Sequence, residues 1–191
     1  VTGRFKKENR FQMERSFIPV SISLLTISDT RSKEDDKSGD LLENKVIESG
    51  HILYDRKIVK DEIFEIQETS NKWINNSEVE IIISTGGTGL TGRDVSPEAF
   101  REIFDKEIEG FGELFRYLSF KKIGTSTIQS RAIAGVANGT YIFVLPGSPS
   151  ACKDAWDEIL INQLDYRHKP CNFVEIMPRL LEKNLGRSGK K

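Results

Sequence analysis

Three short segments carry the residue types from which an anion site is made: SDTR at 28–31, TGGTG at 85–89 and PGSPS at 146–150. Each joins small or hydroxyl side chains to the end of an apolar run. Glycines allow consecutive backbone N–H groups to turn toward one anion. Thr85, Thr88 and Ser148 can add hydroxyl donors, so a phosphate or carboxylate could be cradled without any lysine. Ser28, Asp29 and Thr30 in the first segment, Gly86, Gly87 and Gly89 in the second, and Pro146 and Gly147 in the third complete the candidate binding set. Taken singly, each segment is equally well explained as a tight turn. Three of them at one edge of a sheet favour the anion site.

Two aspartates supply the missing chemistry. Asp94 sits in GRD between the glycines and a following helix, and Asp61 in VKDE just after a strand. They come from adjacent strand ends and could both reach a bound Mg²⁺, which prefers hard carboxylate and phosphate oxygens. Both are therefore candidate catalytic and metal-holding residues. The competing reading of each is an acid at a helix N-terminus, offsetting the macrodipole. Asp29 stays open between a site residue and an ordinary Asx turn. Arg31 and Arg93 either pair with carboxylates or contact phosphate.

Two familiar nucleotide motifs fail. GTGLTG at 87–92 formally satisfies G-x-G-x-x-G, but in a dinucleotide site the helix starts within the glycines. That would bury Pro97 inside a helix at a cost of about 3 kcal/mol. Ser96 as N-cap with Pro97 at the first helical position starts the helix later. A Walker A loop is absent, because no Gly-Lys-Ser/Thr follows the glycines.

The elements that must position these loops alternate along the chain. Strands are predicted over Val20–Ile27, Ile52–Val59 and Val79–Ser84 from short apolar runs rich in β-branched residues. Helices are predicted over Gly39–Ser49, Glu62–Asn75, Ser96 to about Lys106, and Ser150–Leu164. EGFG at 109–112 interrupts the pattern before a further helix over Glu113–Lys122, which Gly124 ends. Asn138-Gly139 joins two strand-like runs as a hairpin, since both residues tolerate positive φ. The order predicts an α/β fold, a three-layer α/β/α sandwich with a mostly parallel mixed sheet, whose ligands gather beyond the carboxyl ends of the strands. Residues 1–18 read as a flexible arm, 19–178 as one domain and 179–191 as a tail.

Composition removes several classes. Lys and Arg number 28 against 29 for Asp and Glu, and a net charge of −1 gives no field suited to nucleic acid or an anionic membrane. Cys152 and Cys171 lie outside C-x-x-C spacing, so a reducing cytoplasm is the default location. The apolar runs are too short to span a bilayer, and the opening residues carry no signal-peptide pattern. His51 and His168 are the only histidines and have no ligands at metal spacing beside them, which argues against a zinc site or a His-based triad. Both are expected at the surface.

The segments SDTR with DKSG, then STGGTGLTGRDVSPEAF, GFGELFR, QSRAIAGV and LPGSPSA, resemble in order and spacing the MoaB/MogA family of molybdenum cofactor biosynthesis proteins. The resemblance covers about residues 20–175, and QLDYRHKPCNF is similar to the MoaB branch. It implies molybdopterin adenylyltransferase activity, in which the terminal phosphate of molybdopterin attacks the α-phosphate of MgATP. It also implies that Asp61 and Asp94 are the functional acids and that TGGTG and PGSPS are the phosphate-binding loops. The family further implies a homo-oligomer, trimeric or hexameric. Two classes of function are open: an enzyme that adenylylates molybdopterin, or a non-catalytic molybdopterin carrier or scaffold.

Overall fold

The structure, a computed structural model, describes residues 15–182. Six strands form one sheet in the order β2-β1-β3-β6-β5-β4. They are β1 (Ser21–Ile27), β2 (Ile52–Val59), β3 (Ile81–Thr85), β4 (Lys106–Glu107), β5 (Ile133–Ala137) and β6 (Thr140–Leu145). The pairs β1–β2, β1–β3 and β3–β6 are parallel, whereas β5–β6 and β4–β5 are antiparallel.

The alternation of side chains along each inner strand builds two cores. Ile22 and Leu24 of β1, Ile81 and Ile83 of β3, and Tyr141 and Phe143 of β6 pack on one face. The helices α1 (Lys37–Glu48), α4 (Glu109–Ile123) and α5 (Pro149–Ala155) cover that face. Leu25 and Ile27, Ile82, and Ile142 and Val144 point the other way, beneath α2 (Ile63–Ile74) and α3 (Ser96–Arg101). This period of two, with both faces covered, is why these strands read as continuous apolar runs. The three-layer sandwich expected from the element order is what the chain forms.

Register brings the strand ends level. Thr26 of β1 stands beside Thr85 of β3, and Thr85 beside Leu145 of β6, so the three strands end together. Ile27 is likewise paired with Val59 at the end of β2. From β1 the chain crosses to β2 on one side and then to β3 on the other, so the sheet has a topological switch point between β1 and β3. At such a point the outgoing loops part and leave a crevice.

Several boundaries differ from expectation. EGFG does not break a helix but lies inside α4, which runs unbroken over Glu109–Ile123. A Cβ on Gly112 would lie 2.5 Å from the Ala132 carbonyl oxygen, so the glycine allows close approach of helix and sheet rather than a turn. Helix α3 stops at Arg101, leaving Lys106–Glu107 free to pair with β5 as the edge strand β4. Its N-cap is Val95, not Ser96, whose hydroxyl instead donates to the Gly86 carbonyl at 2.8 Å. Helix α1 starts at Lys37, two residues early, because Asp36 caps it by accepting from the Gly39 N–H. After α5 a π turn over Trp156–Leu160 leads into α6 (Ile161–Gln163), and α7 (Phe173–Ile176) comes next.

His51 is buried, not at the surface: its Nδ1 accepts from the Val20 N–H at 3.3 Å, and burial pushes its pKa down. Of the expected N-terminal arm, residues 1–14 lie outside the described residues, as do 183–191 of the tail. Arg15 bonds Glu175 through both terminal nitrogens, at 3.0 and 2.7 Å, and Phe17 packs on His51. Among the described residues no helix is long and apolar enough to cross a membrane.

Candidate active site

The loops that leave β1, β3 and β6 enclose one cavity of about 740 Å³ at the switch point. It is lined by Ser28, Asp29 and Thr30, by Gly86, Gly87, Thr88 and Gly89, by Pro146, Gly147 and Ser148, and by both Asp61 and Asp94. Of the candidate residues only Thr85 is not on its wall. That side chain is buried within the sheet end, where its hydroxyl donates to the Pro146 carbonyl at 2.9 Å and meets Cys152 Sγ at 3.1 Å. Thr85 thus joins two of the loops from beneath and is no ligand donor. Cys152 is buried beside it, and burial pushes its thiol up to about 11, so it stays protonated and inert at neutral pH.

The glycine turn owes its shape to the sheet. Gly86 and Gly87 have φ of 107° and 62°, a region L side chains avoid, and a Cβ on Gly86 would lie 2.1 Å from the Ile27 carbonyl oxygen. The Gly86 N–H continues the ladder to the Leu145 carbonyl at 3.1 Å and is not offered to the cavity. The Ser148 hydroxyl oxygen caps α5 by accepting from the Ala151 N–H at 3.2 Å. Ser28 closes its own turn, accepting from the Arg31 N–H at 3.1 Å.

The two carboxylates differ. Asp61 is half-buried beside the glycine turn, and its Oδ1 accepts from the Val95 N–H at 3.2 Å. Burial raises its pKa, and the negative charges of Asp94 and Asp29 raise it further. Asp94 accepts at Oδ2 from the Thr91 hydroxyl at 2.6 Å and the Thr91 N–H at 2.9 Å, and these bonds lower its pKa. Asp29 pairs with Arg93, and its Oδ1 accepts from the Asp61 N–H at 3.3 Å. Arg31 donates to the Gly147 carbonyl at 2.9 Å, and Ser38 donates to the same oxygen at 2.8 Å.

Residues 23–166, a span that holds every candidate site residue, match the model of a probable molybdopterin binding domain. The chain belongs to this molybdopterin-binding family. It is 51% identical over 162 residues to molybdenum cofactor biosynthesis protein B of Escherichia coli K12, covering 85% of this chain and 95% of that protein. A crystal structure of a molybdenum cofactor biosynthesis protein B aligns with TM-score 0.76 at 40% identity, over 78% of this chain and 94% of that one. The tungsten cofactor synthesizing protein MoaB from Pyrococcus furiosus aligns with TM-score 0.68 at 34% identity, over 74% and 91% respectively. The MoaB/MogA resemblance of the loop motifs therefore extends over 85% of the chain.

In this member of the family the cavity has walls that sequence reasoning did not assign. Phe115, Ser119 and Ile123 of α4 face it, as do Gln129 and Ser130 of the segment after that helix. The Ser130 hydroxyl is buried with no hydrogen-bond partner among the described residues. These positions fall in and after GFGELFR and in QSRAIAGV, motifs that carry the family resemblance but contain no residue of obvious reactivity.

Proposed function

We propose that this chain works in molybdenum cofactor biosynthesis as a molybdopterin adenylyltransferase. The terminal phosphate of molybdopterin attacks the α-phosphate of ATP, a new P–O bond forms, and pyrophosphate leaves with adenylyl-molybdopterin as product. The observation that carries this reading is the convergence of three strand-end loops and two carboxylates on one cavity, whose 740 Å³ lies within the usual range for small-molecule sites.

The protein needs no nucleophile of its own, because the pterin phosphate is one. What it must supply is alignment of two phosphates and stabilisation of the charge that gathers between them. The N–H groups of Gly87 and Thr88 are the donors assigned to the phosphate, on a turn whose glycines keep side chains out of the way. Ser148 and Ser130 are the hydroxyls assigned to the ligand, and Phe115 and Ile123 give the cavity an apolar wall.

The donor set fits magnesium. Asp61 is a half-buried carboxylate with one N–H partner and two acidic neighbours, so a cation beside it relieves a standing charge. Among the described residues no group of three or more His, Cys, Asp or Glu is arranged to hold a metal. Asp61 and Asp94 would therefore hold Mg²⁺ with phosphate oxygens and water completing its shell. When bound, Mg²⁺ neutralises negative charge on the phosphates.

Incubation of the purified protein with molybdopterin and MgATP is expected to give adenylyl-molybdopterin. Asp94→Asn should lower the rate by at least about 100-fold while molybdopterin binding is largely kept, because the cradle donors survive. Binding without product in the unaltered protein would reject the enzyme and leave a carrier or scaffold. Equal rates after replacement of both Asp61 and Asp94 would reject the metal assignment.

A further inference from the structure

Arg131 belongs to the QSRAIAGV segment and stands just outside the wall of the site. Its side chain is about a quarter exposed and turns to the loop between the glycine turn and α3. Nε donates to the Gly89 carbonyl at 2.8 Å and is 3.4 Å from the Thr88 carbonyl, while Nη2 donates to the Asp94 carbonyl at 2.8 Å. Nη1 pairs with Glu98 of α3. One planar group therefore holds both ends of the segment Gly89–Asp94, and α3 holds the planar group.

We propose that Arg131 is a positioning residue, which sets the carboxylate of Asp94 relative to the phosphate-binding turn by clamping the carbonyls on either side of the intervening loop. It acts from outside the site, since it lines a neighbouring cavity of about 440 Å³ and not the one that holds Asp61 and Asp94. The role requires arginine. A guanidinium carries five N–H donors in a fixed fork and can address two carbonyls and a carboxylate at once, whereas a lysine ammonium is a point charge on a flexible stem. The inside of the loop is already closed by Asp94 accepting from Thr91, so the loop has a definite shape of its own. Arg131 fixes where that shape sits. The inference rests on the adenylyl-transfer reading for its effect on rate, but not for its effect on the loop.

The test uses the full chain with Arg131→Lys and, as a milder change that leaves the arginine in place, Glu98→Gln. Backbone amide exchange of residues 86–94 should quicken by at least about tenfold in Arg131→Lys, and less in Glu98→Gln, while amides of β3 stay protected. For adenylyl transfer, Arg131→Lys should lower kcat on the order of 100-fold, as misplacement of about 1 Å does. KM for MgATP should change less than kcat, since the ligand donors themselves are untouched. Unchanged exchange in the loop, or a fall in melting temperature with kcat unaltered well below it, overturns the proposal. Faster loop exchange in a protein whose unaltered form makes no product upholds the clamp and rejects the adenylyltransferase reading instead.

Discussion

Asp36 and Asp61 come after strands that lie side by side in the sheet, yet the fold treats their carboxylates in opposite ways. Asp36 is fully buried, and every side of it is met: the Thr26 hydroxyl at 2.6 Å, Arg56 at 2.8 Å and the Gly39 N–H at 3.0 Å. Burial would raise its pKa, but these bonds outweigh burial and hold it below the usual range. Asp61 is less buried and still has its pKa raised, first by burial and then by two other acids, with one N–H donor set against them. A carboxylate with all its partners ties elements together; one kept short of partners is ready for a ligand. Asp36 fastens β1, β2 and the start of α1, and through Arg31 and Ser38 the same corner reaches the Gly147 carbonyl at the site.

The sharpest way to break this contrast is to remove the satisfied group. Asp36→Ala strands Arg56 in the interior with Asp40 and Glu43 left to it, at 2.7 and 2.8 Å, and the backbone carbonyl of residue 36 at 3.2 Å. Breaking a buried pair from one side costs about 3–5 kcal/mol, and the two remaining acids place the loss near the lower figure, about 3 kcal/mol. Urea unfolding should show it as a lower midpoint at unchanged slope. A loss below about 1 kcal/mol would mean that Asp36 is not the fastening it resembles.

Asp94 stands between the extremes and should respond so. Asp94→Asn keeps the shape but weakens the two charge-assisted bonds from Thr91, for a loss of about 1 kcal/mol at neutral pH. Its lowered pKa sets the sign. The stabilisation is present above the unfolded value of 3.8 and is lost as pH falls through the folded one, so the variant and the unaltered protein should converge in acid. Chemical denaturation at neutral pH and at steps below 3.8 checks both points.

Only part of the contrast is legible in the sequence. Periodicity and turn chemistry locate the inner strands and the hairpin, where Asn138 and Gly139 do take φ of 45° and 83°. The cavity loops can be found for a physical reason: in a sheet of this type they must come after strand ends, and three of them share one composition. Whatever depends on long-range approach stays hidden. Gly112 signals a turn locally and is a contact with Ala132 in space. Arg131 lies 37 residues from Asp94, and Thr85 reads as a free hydroxyl until Pro146 is packed above it. Asp36 reads as one acid among several in a polar loop, because only the folded chain brings Arg56 and Thr26 to it.

The smallest effect is also the most discriminating. Asp61→Asn removes a charge whose burial and acidic neighbours already disfavour it, so it should leave stability unchanged or raise it by less than about 1 kcal/mol, even as transfer is lost. The folded pKa lies above the unfolded value of 3.8, so the folded state holds its proton longer. The penalty of the ionised form is absent below 3.8 and grows as pH rises through the folded pKa. Any gain of Asp61→Asn over the unaltered protein should therefore appear toward neutral pH and vanish in acid. That is the opposite sign to Asp94→Asn, whose deficit vanishes only at lower pH, below 3.8. Added Mg²⁺ with a phosphate ligand should erase the gain, by giving the carboxylate the partner it lacks. If Asp61→Asn instead destabilises the protein by about 1 kcal/mol at neutral pH, Asp61 is a structural acid like Asp36, and the distinction between fastening and waiting carboxylates fails at this site.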